Sequence, residues 1–378
     1  MELKLCKDLH DLLVERQNEV QFKIVQIIPS IEEYENRGPF IVHTSSLDTL
    51  DIGMTKKTYL QIFIEAHTYW HHVILPKKLH SEGKLKDLLT SELYDIYFST
   101  LGYLVTTNEN HTIVRLHELC LLELEEKRDV PILELELKFL TCLVNSKLKR
   151  INKSATIWFL IKKIALRLIF SDLTNTQTQY KMLVDRTFKS IELHFANYYA
   201  SSFLKWLIRY NYLSSGQVHI LQDIQNRILG LLIEEAHSKL SDFSLWSSFE
   251  TYLRVHGGVE DDNAYTYLQE EVSFITQRDL RWVPRQPDDI HLLLVLIDEQ
   301  ISWLIRIECA VVTPFKSLMN PLVNMSISDS KKQLVMGKVR EYQKTIDMRI
   351  TRLKDSGCSD PSLLLTKETF SKHLKDLC

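Results

Sequence analysis

Glycine and proline are scarce in this sequence. Its 378 residues include 10 glycines and 9 prolines, and neither type occurs between Pro131 and Gly216. A β-rich chain needs both at its turns, so their scarcity argues for helices joined by short polar connections. The six cysteines (Cys6, Cys120, Cys142, Cys309, Cys358, Cys378) are scattered, with no CxxC or paired spacing. A disulfide framework or a zinc ribbon is therefore not expected, and reduced thiols fit a cytoplasmic setting. No run approaches the roughly 20 apolar residues of a spanning helix. Leu292 to Ile297 is stopped by Asp298-Glu299, and Ile157 to Phe170 carries Lys162, Lys163 and Arg167. Met1-Glu2-Leu3-Lys4 lacks the apolar stretch of a secretory signal. A cytoplasmic location without a membrane span is expected, and the sequons at Asn110, Asn152 and Asn324 read as chance matches. A net charge of -3 gives no basic field for nucleic acid.

What is present is apolar mass. Hydrophobic residues make up 45% and charged residues 25%, enough for one large core or two ordinary ones. Residues 1–20 read as a short amphipathic helix. Phe22 to Pro29 and Phe40-Ile41-Val42, on either side of Arg37-Gly38-Pro39, predict a small β hairpin. From about Lys56 a helical period takes over. In Gln222–Leu240, Ile224, Ile228, Leu232, Ala236 and Leu240 recur every four residues, with Asp223, Gln225 and Asn226 mostly off that stripe. Ser241-Asp242 offers an N-cap. Trp246, Phe249 and Leu253 form the next stripe, and His256-Gly257-Gly258 ends it.

Such helix–turn–helix units recur. Trp158 follows a helix over about Leu133–Leu148, Trp206 follows one over about Tyr180–His194, and Trp303 follows a polar insert from Trp282 to Asp289. Each hairpin has more apolar surface than it can bury alone, and stacking neighbours solves that. The expected fold is all-α: a superhelix of stacked helical hairpins over 56–325, preceded by a helix and hairpin in 1–55. A capping helix near Val335–Leu353 and a tail occupy 326–378.

Chemistry is thin. His67 and His71 share a helix face with His72 beside them, but Thr68-Tyr69-Trp70 supplies no further zinc ligand, so ordinary partly buried histidines are expected. Glu134 and Glu136 sit among leucines and are expected to face solvent or a partner. Lys147, Lys149, Arg150 and Lys153 form a compact basic cluster, read as a helix C-terminus favouring cations or as a surface for phosphates or an acidic partner. No Gly-rich phosphate loop, GxSxG or Cys/His arrangement stands out. No catalytic residue, metal site or cofactor is expected in this chain.

The hairpins resemble the repeats of the protein prenyltransferase α-subunit family, in which a Trp follows Asn-Tyr or a similar lead-in and an Arg follows three residues later. Trp303-Leu304-Ile305-Arg306 keeps both residues. Asn152 to Trp158 resembles a second lead-in, with Ile161 at the Arg position. Asn197-Tyr198-Tyr199-Ala200 resembles a third, with Ser201 at the Trp position and Leu204 at the Arg. Trp206-Leu207-Ile208-Arg209 restores the pair five residues on, which leaves the register of this unit open. Ser241 to Trp246 resembles a fourth, with Phe249 at the Arg position. The Ile24–Pro29 run, the Gly38-Pro39-Phe40 turn and the long gap before the first repeat are most similar to a divergent fungal branch, the α-subunit repeat-containing protein of type-III geranylgeranyltransferase.

That resemblance implies a subunit that wraps around a β subunit of the Rab geranylgeranyltransferase type, which would hold the zinc and the isoprenoid. The α-like chain would select the substrate, a farnesylated SNARE or other prenylated protein. The family's basic residue ahead of Asn-Tyr is Ala196 here, and Tyr198 remains for a diphosphate or partner contact. Plain packing accounts for Trp158, Trp246 and Trp303. A helical-repeat adaptor without transferase association is the alternative.

Overall fold

A computed structural model describes residues 2–15, 21–31, 37–81, 83–127, 131–171, 176–213, 218–277, 289–357 and 361–377. It is mostly helical, with a small three-stranded sheet near the N-terminus. The chain divides into two compact units: Met1–Phe203 with Ile275–Gln277, and Leu204–Phe274 with Arg278–Cys378.

In the first unit, α1 (Lys4–Val14) buries Cys6, Leu9, His10 and Leu13, spaced as one helical face. Both of its ends are capped from elsewhere. The Glu65 carboxylate accepts from Leu5 N (2.9 Å) and Cys6 N (3.3 Å). The Lys23 ammonium donates to Leu12 O (2.6 Å) and Glu15 O (3.0 Å), satisfying carbonyls that a helix C-terminus leaves open. Burial lowers the pKa of Lys23 and raises that of Glu65.

The expected hairpin between Phe22–Pro29 and Phe40–Val42 does not form. β1 (Phe22–Ile28) and β2 (Phe40–Ser46) are not neighbours, because β3 (Thr49–Thr55) lies between them, parallel to β1 and antiparallel to β2. The hairpin is β2–β3, turned at Leu47-Asp48. The Asp48 carboxylate accepts from Ser46 Oγ and Thr49 Oγ1, which lowers its pKa. Leu50, Ile52 and Met54 alternate along β3, and all three are buried. The outer side of β1 is met by the turn after α5 (Ile132–Val144), where Lys147 N donates to Val25 O at 2.9 Å.

α2 (Lys56–Tyr69) begins where β3 ends, with Thr55 as its N-cap, and runs into one π-turn at Trp70–Ile74. α3 (Thr90–Thr106) packs on α2 and on α4 (His111–Lys127). Gly102 makes the first of these contacts close: a Cβ there would stand 2.7 Å from Cys6 Sγ and 3.0 Å from Ala66 Cβ. Glu136, expected to face solvent or a partner, is fully buried. Its Oε1 accepts from His117 Nε2 (3.0 Å) and its Oε2 from Tyr97 OH (2.5 Å). The Thr100 hydroxyl lies 2.8 Å from His117 Nδ1. The physical reason is register: position 136 is one turn from Ile132 and from Leu140 on the core-facing side of α5, so its charge is answered inside the core. The expected partial burial of His67, His71 and His72 is also corrected, since all three are exposed. His67 Nδ1 lies 2.8 Å from Tyr103 OH.

After the one-turn α6 (Lys149–Asn152), the first unit continues with α7 (Ala155–Ser171), α8 (Thr176–Leu193) and the start of α9 (Tyr198–Leu213). In the second unit, α10 (Val218–Ser238) packs on α11 (Phe243–His256). Ile224, Ile228, Leu232 and Ala236 are buried as their period requires, but so is Gln225. Asp242 caps α11 by accepting from Ser244 N and Leu245 N. Its other end closes on Gly258 at φ 66, with Val259 N donating to Arg254 O and Gly258 N to Val255 O, a Schellman arrangement.

α12 (Asp262–Thr276) follows. The polar insert Trp282–Asp289 lies outside the described residues apart from Asp289, which caps α13 (Ile290–Arg306). α14 (Val312–Asn324) packs on α11 and α13. The capping helix is longer than expected, α15 (Asp329–Asp355), because Gly337 falls inside it rather than at its start. α16 (Pro361–Leu377) packs on α15 and α14. No helix among the described residues is long and apolar enough to cross a membrane.

Candidate functional site: two asparagine-linked turns

The sequence motifs converge on two turns of the first unit, residues 145–154 before α7 and residues 194–197 before α9. Asn152 and Asn197 are 45 residues apart and fully buried, and Asn197 Nδ2 donates to Asn152 Oδ1 at 2.6 Å. Asn152 Nδ2 donates to Val144 O (2.7 Å) and to Ser190 Oγ (2.8 Å). Asn152 O accepts from Trp158 Nε1 at 2.9 Å. Asn197 Oδ1 caps α9 by accepting from Ala200 N. A buried amide needs partners for both of its ends, and here each asparagine supplies one for the other.

Three helices share a start register. Ser154, Asn197 and Asp242 each cap a helix, and Trp158, Ser201 and Trp246 each follow four residues later, buried. The equivalence therefore falls on Ser201 and not on Trp206. Trp303 does not share the register: it lies in the last turn of α13 and stacks on His237 at 3.6 Å. Phe315, four residues after the N-cap of α14, stands in the matching place. Of the remaining motif residues, Trp206 stacks on Tyr210, Arg209 NH2 lies 3.2 Å from Glu260 Oε1, and Arg306 is exposed. Ile161, Leu204 and Phe249, at the motif's Arg positions, are buried and apolar.

The outside of the two turns is cationic and aromatic. Lys147, Lys149 and Arg150 are exposed. Lys153 reaches across to donate to Phe195 O (2.7 Å) and Ala196 O (2.9 Å). Ala196 has a φ of 53, so the carbonyls of this turn fan outward toward that ammonium. His194 Nε2 donates to Ser146 O at 3.0 Å. Its pKa is lowered below 6.5, first by burial and then by the nearby Lys153 and Lys149 charges. Beside these cations, Tyr198 is 62% exposed and Phe195 55%, with Tyr199 and Phe159 also outward. Sequence reasoning singled out Tyr198 and the basic cluster but missed Phe195 and Tyr199. Their signal was two further aromatics around an asparagine cap, where a helix-start residue at N1 or N2 points away from the core.

Chemically, such a surface offers cation and ring contacts to a partner and carries no nucleophile–base pair. Among the described residues, no group of three or more His, Cys, Asp or Glu is placed to hold a metal. The described cysteines Cys6, Cys120, Cys142 and Cys309 are free and buried. Cys358 and Cys378 lie outside the described residues.

The fold is that of a mostly helical protein with a small three-stranded mixed sheet near its N-terminus. Residues 1–145 match the family model described as the ECM9 N-terminal domain, and residues 157–277 match the ECM9 middle domain. The chain thus carries ECM9 family domains. It is 26% identical over 283 residues to Protein ECM9 of Saccharomyces cerevisiae, covering 72% of this chain but only 66% of the yeast protein. No solved structure matches it.

Proposed function

We propose that this chain is a non-catalytic α-type subunit of a protein geranylgeranyltransferase. It scaffolds a Rab-type β subunit, which carries the zinc, and selects a protein substrate such as a farnesylated SNARE in the cytoplasm. The observation that carries this reading is the Asn152–Asn197 hydrogen bond. It joins two helix-start turns 45 residues apart, which supports a reading of the two as equivalent turns of stacked hairpins. The exposed Phe195, Tyr198 and Tyr199 supply the aromatic side chains that interfaces favour, and Lys149 and Lys153 near the same turns add positive charge. Ala196 lacks the family's cation, but Lys153 brings an ammonium to the Ala196 carbonyl from the preceding turn.

The test is co-expression with a Rab-type β subunit. A stable heterodimer is expected, and geranylgeranyl transfer to a farnesylated SNARE by the pair but by neither chain alone. Failure of the two purified chains to associate sinks the reading.

A second reading is favoured by Ile161, Leu204 and Phe249. Their burial in apolar surroundings leaves no room for the motif's Arg, which suits a repeat adaptor without transferase association. SNARE binding with no β-subunit binding would select it.

A further inference from the structure

His67 and His71 meet where α2 runs into its π-turn. Their ring centroids are 4.3 Å apart with the planes at 62°, and both residues are exposed. A regular α-helix leaves residues four apart about 40° out of line around its axis. Here the α geometry ends at Tyr69, and Leu75 N donates to Trp70 O at 2.8 Å, a bond that spans five residues. The wider turn that carries His71 twists less per residue, which narrows that offset and brings the rings together.

The two rings are held differently. His67 Nδ1 lies 2.8 Å from Tyr103 OH, and its ring stacks on Phe63 at 5.1 Å. Tyr103 is buried, and burial pushes its phenol up to about 12, so at neutral pH it serves as an uncharged hydrogen-bond partner. With Nδ1 engaged, Nε2 is the open nitrogen of His67. A metal-binding histidine is commonly fixed in this way, its second nitrogen bonded to a neighbouring side chain. His71 makes no hydrogen bond among the described residues, so its ring is open to a ligand.

The ring separation selects the kind of ion. An imidazole nitrogen binds a divalent ion at about 2.0–2.1 Å, which puts the ion about 3.2 Å from the ring centroid. Two rings 4.3 Å apart then subtend an angle of about 84° at the ion. That is the near-right angle of neighbouring positions in square-planar or octahedral coordination. A tetrahedral ion would hold the centroids about 5.2 Å apart. Among divalent ions that favour the square arrangement, copper binds nitrogen donors most strongly.

We propose that His67 and His71 form a two-histidine site for copper(II), with water in the remaining positions and Tyr103 fixing the His67 ring. Two protein donors suffice for such an open site, in keeping with the lack of any larger ligand group among the described residues. The site lies apart from the asparagine-linked turns and does not depend on the transferase reading.

The experiment titrates the metal-free full chain with copper(II) sulfate, using glycine as a competing chelator, and records electron paramagnetic resonance. The expected result is one tightly held ion with a tetragonal signal split by two imidazole nitrogens. His71→Gln removes no hydrogen bond and should fold normally, yet it should weaken binding on the order of tenfold or more. Tyr103→Phe should weaken it by a smaller factor, and His72→Gln, at the exposed neighbouring position, should leave it unchanged. Three outcomes overturn the proposal: glycine strips all the copper from the wild-type chain; His71→Gln binds as tightly as the wild type, which assigns the ion to adventitious surface histidines; or the signal shows fewer than two nitrogens.

Discussion

Asn197 hands an amide N–H to the side-chain oxygen of Asn152 at 2.6 Å, and both residues also bond Ser190 in the core. One hydrogen bond thus fixes two turns that the sequence separates by 45 residues. Removing either asparagine leaves buried polar groups without partners. Asn152→Ala and Asn197→Ala should each cost about 2–3 kcal/mol, with the loss of a helix cap adding to the second. Because the two residues touch, the double variant should cost less than the sum by about 1 kcal/mol or more. Denaturant unfolding of the four proteins of that cycle measures it, and simple additivity would refute the link.

Tyr198→Ala with Phe195→Ala separates surface from stability. Both side chains are mostly exposed, so unfolding should shift by roughly 0.5 kcal/mol or less. Capture of a Rab-type β subunit should nevertheless weaken. A large stability loss with unchanged capture would place these rings in packing.

His194 reports the charge of the same turns. Its folded pKa is lowered, so the neutral ring is the form that the folded state prefers. The associated stability is complete above the ordinary value of 6.5 and declines as pH falls from there through the folded value. An NMR titration should find His194 below 6.5. Lys149→Met with Lys153→Met should raise that value only part of the way, because burial is the larger cause. A full return would assign the shift to the lysines alone.

Glu136→Ala strands His117 Nε2 and Tyr97 OH in the core and should cost about 3–5 kcal/mol. The triple change Glu136→Leu, His117→Leu and Tyr97→Phe removes all three polar groups together and should recover most of that loss. Burial and the Glu136 charge push the Tyr97 phenol well above its ordinary value, so it should ionise only on unfolding in an alkaline absorbance titration.

Gly102→Ala drives a methyl toward Cys6 Sγ and Ala66 Cβ. Overpacking of about 1–3 kcal/mol should outweigh the gain in helix propensity of about 1 kcal/mol. Adding Cys6→Ala should restore part of the loss. Equal stability of the Gly102→Ala and wild-type proteins would show that α1 yields to the added methyl.

The helices were legible because their periods are long and clean, as in Ile224 to Ala236, and because Asp242 and Gly258 mark their ends by local chemistry. The sheet was only half legible. Leu50, Ile52 and Met54 alternate, but β3 gains its place only from β1 and β2 on either side of it, which no local pattern states. The charge of Glu136 suggests solvent, but its position one turn from Ile132 and Leu140 puts it in the core. Trp303-x-x-Arg306 has the motif's letters but lies in the last turn of α13, whereas Trp158 and Trp246 lie in the first turns of their helices, a distinction of register that spacing alone does not carry. Within the candidate site, the asparagines and Tyr198 were found, whereas the Ser190 bridge and the Lys153 reach depend on a helix that lies between them in sequence.

The capping of α1 has a consequence for the order of synthesis. α1 closes its N-terminus on Glu65, 60 residues later in the chain, and β1 takes its outer partner from Ser146–Lys147. The residues of α1 and β1 therefore wait for the chain as far as Lys147 before their native neighbours exist. During that interval Leu9, Leu13, Ile24 and Val25, all buried at the end, are exposed on a nascent chain. Long-range closure of this kind is slow and leaves apolar surface open to misassociation. Chaperone dependence during translation should accordingly fall away when the segment through Lys147 has emerged.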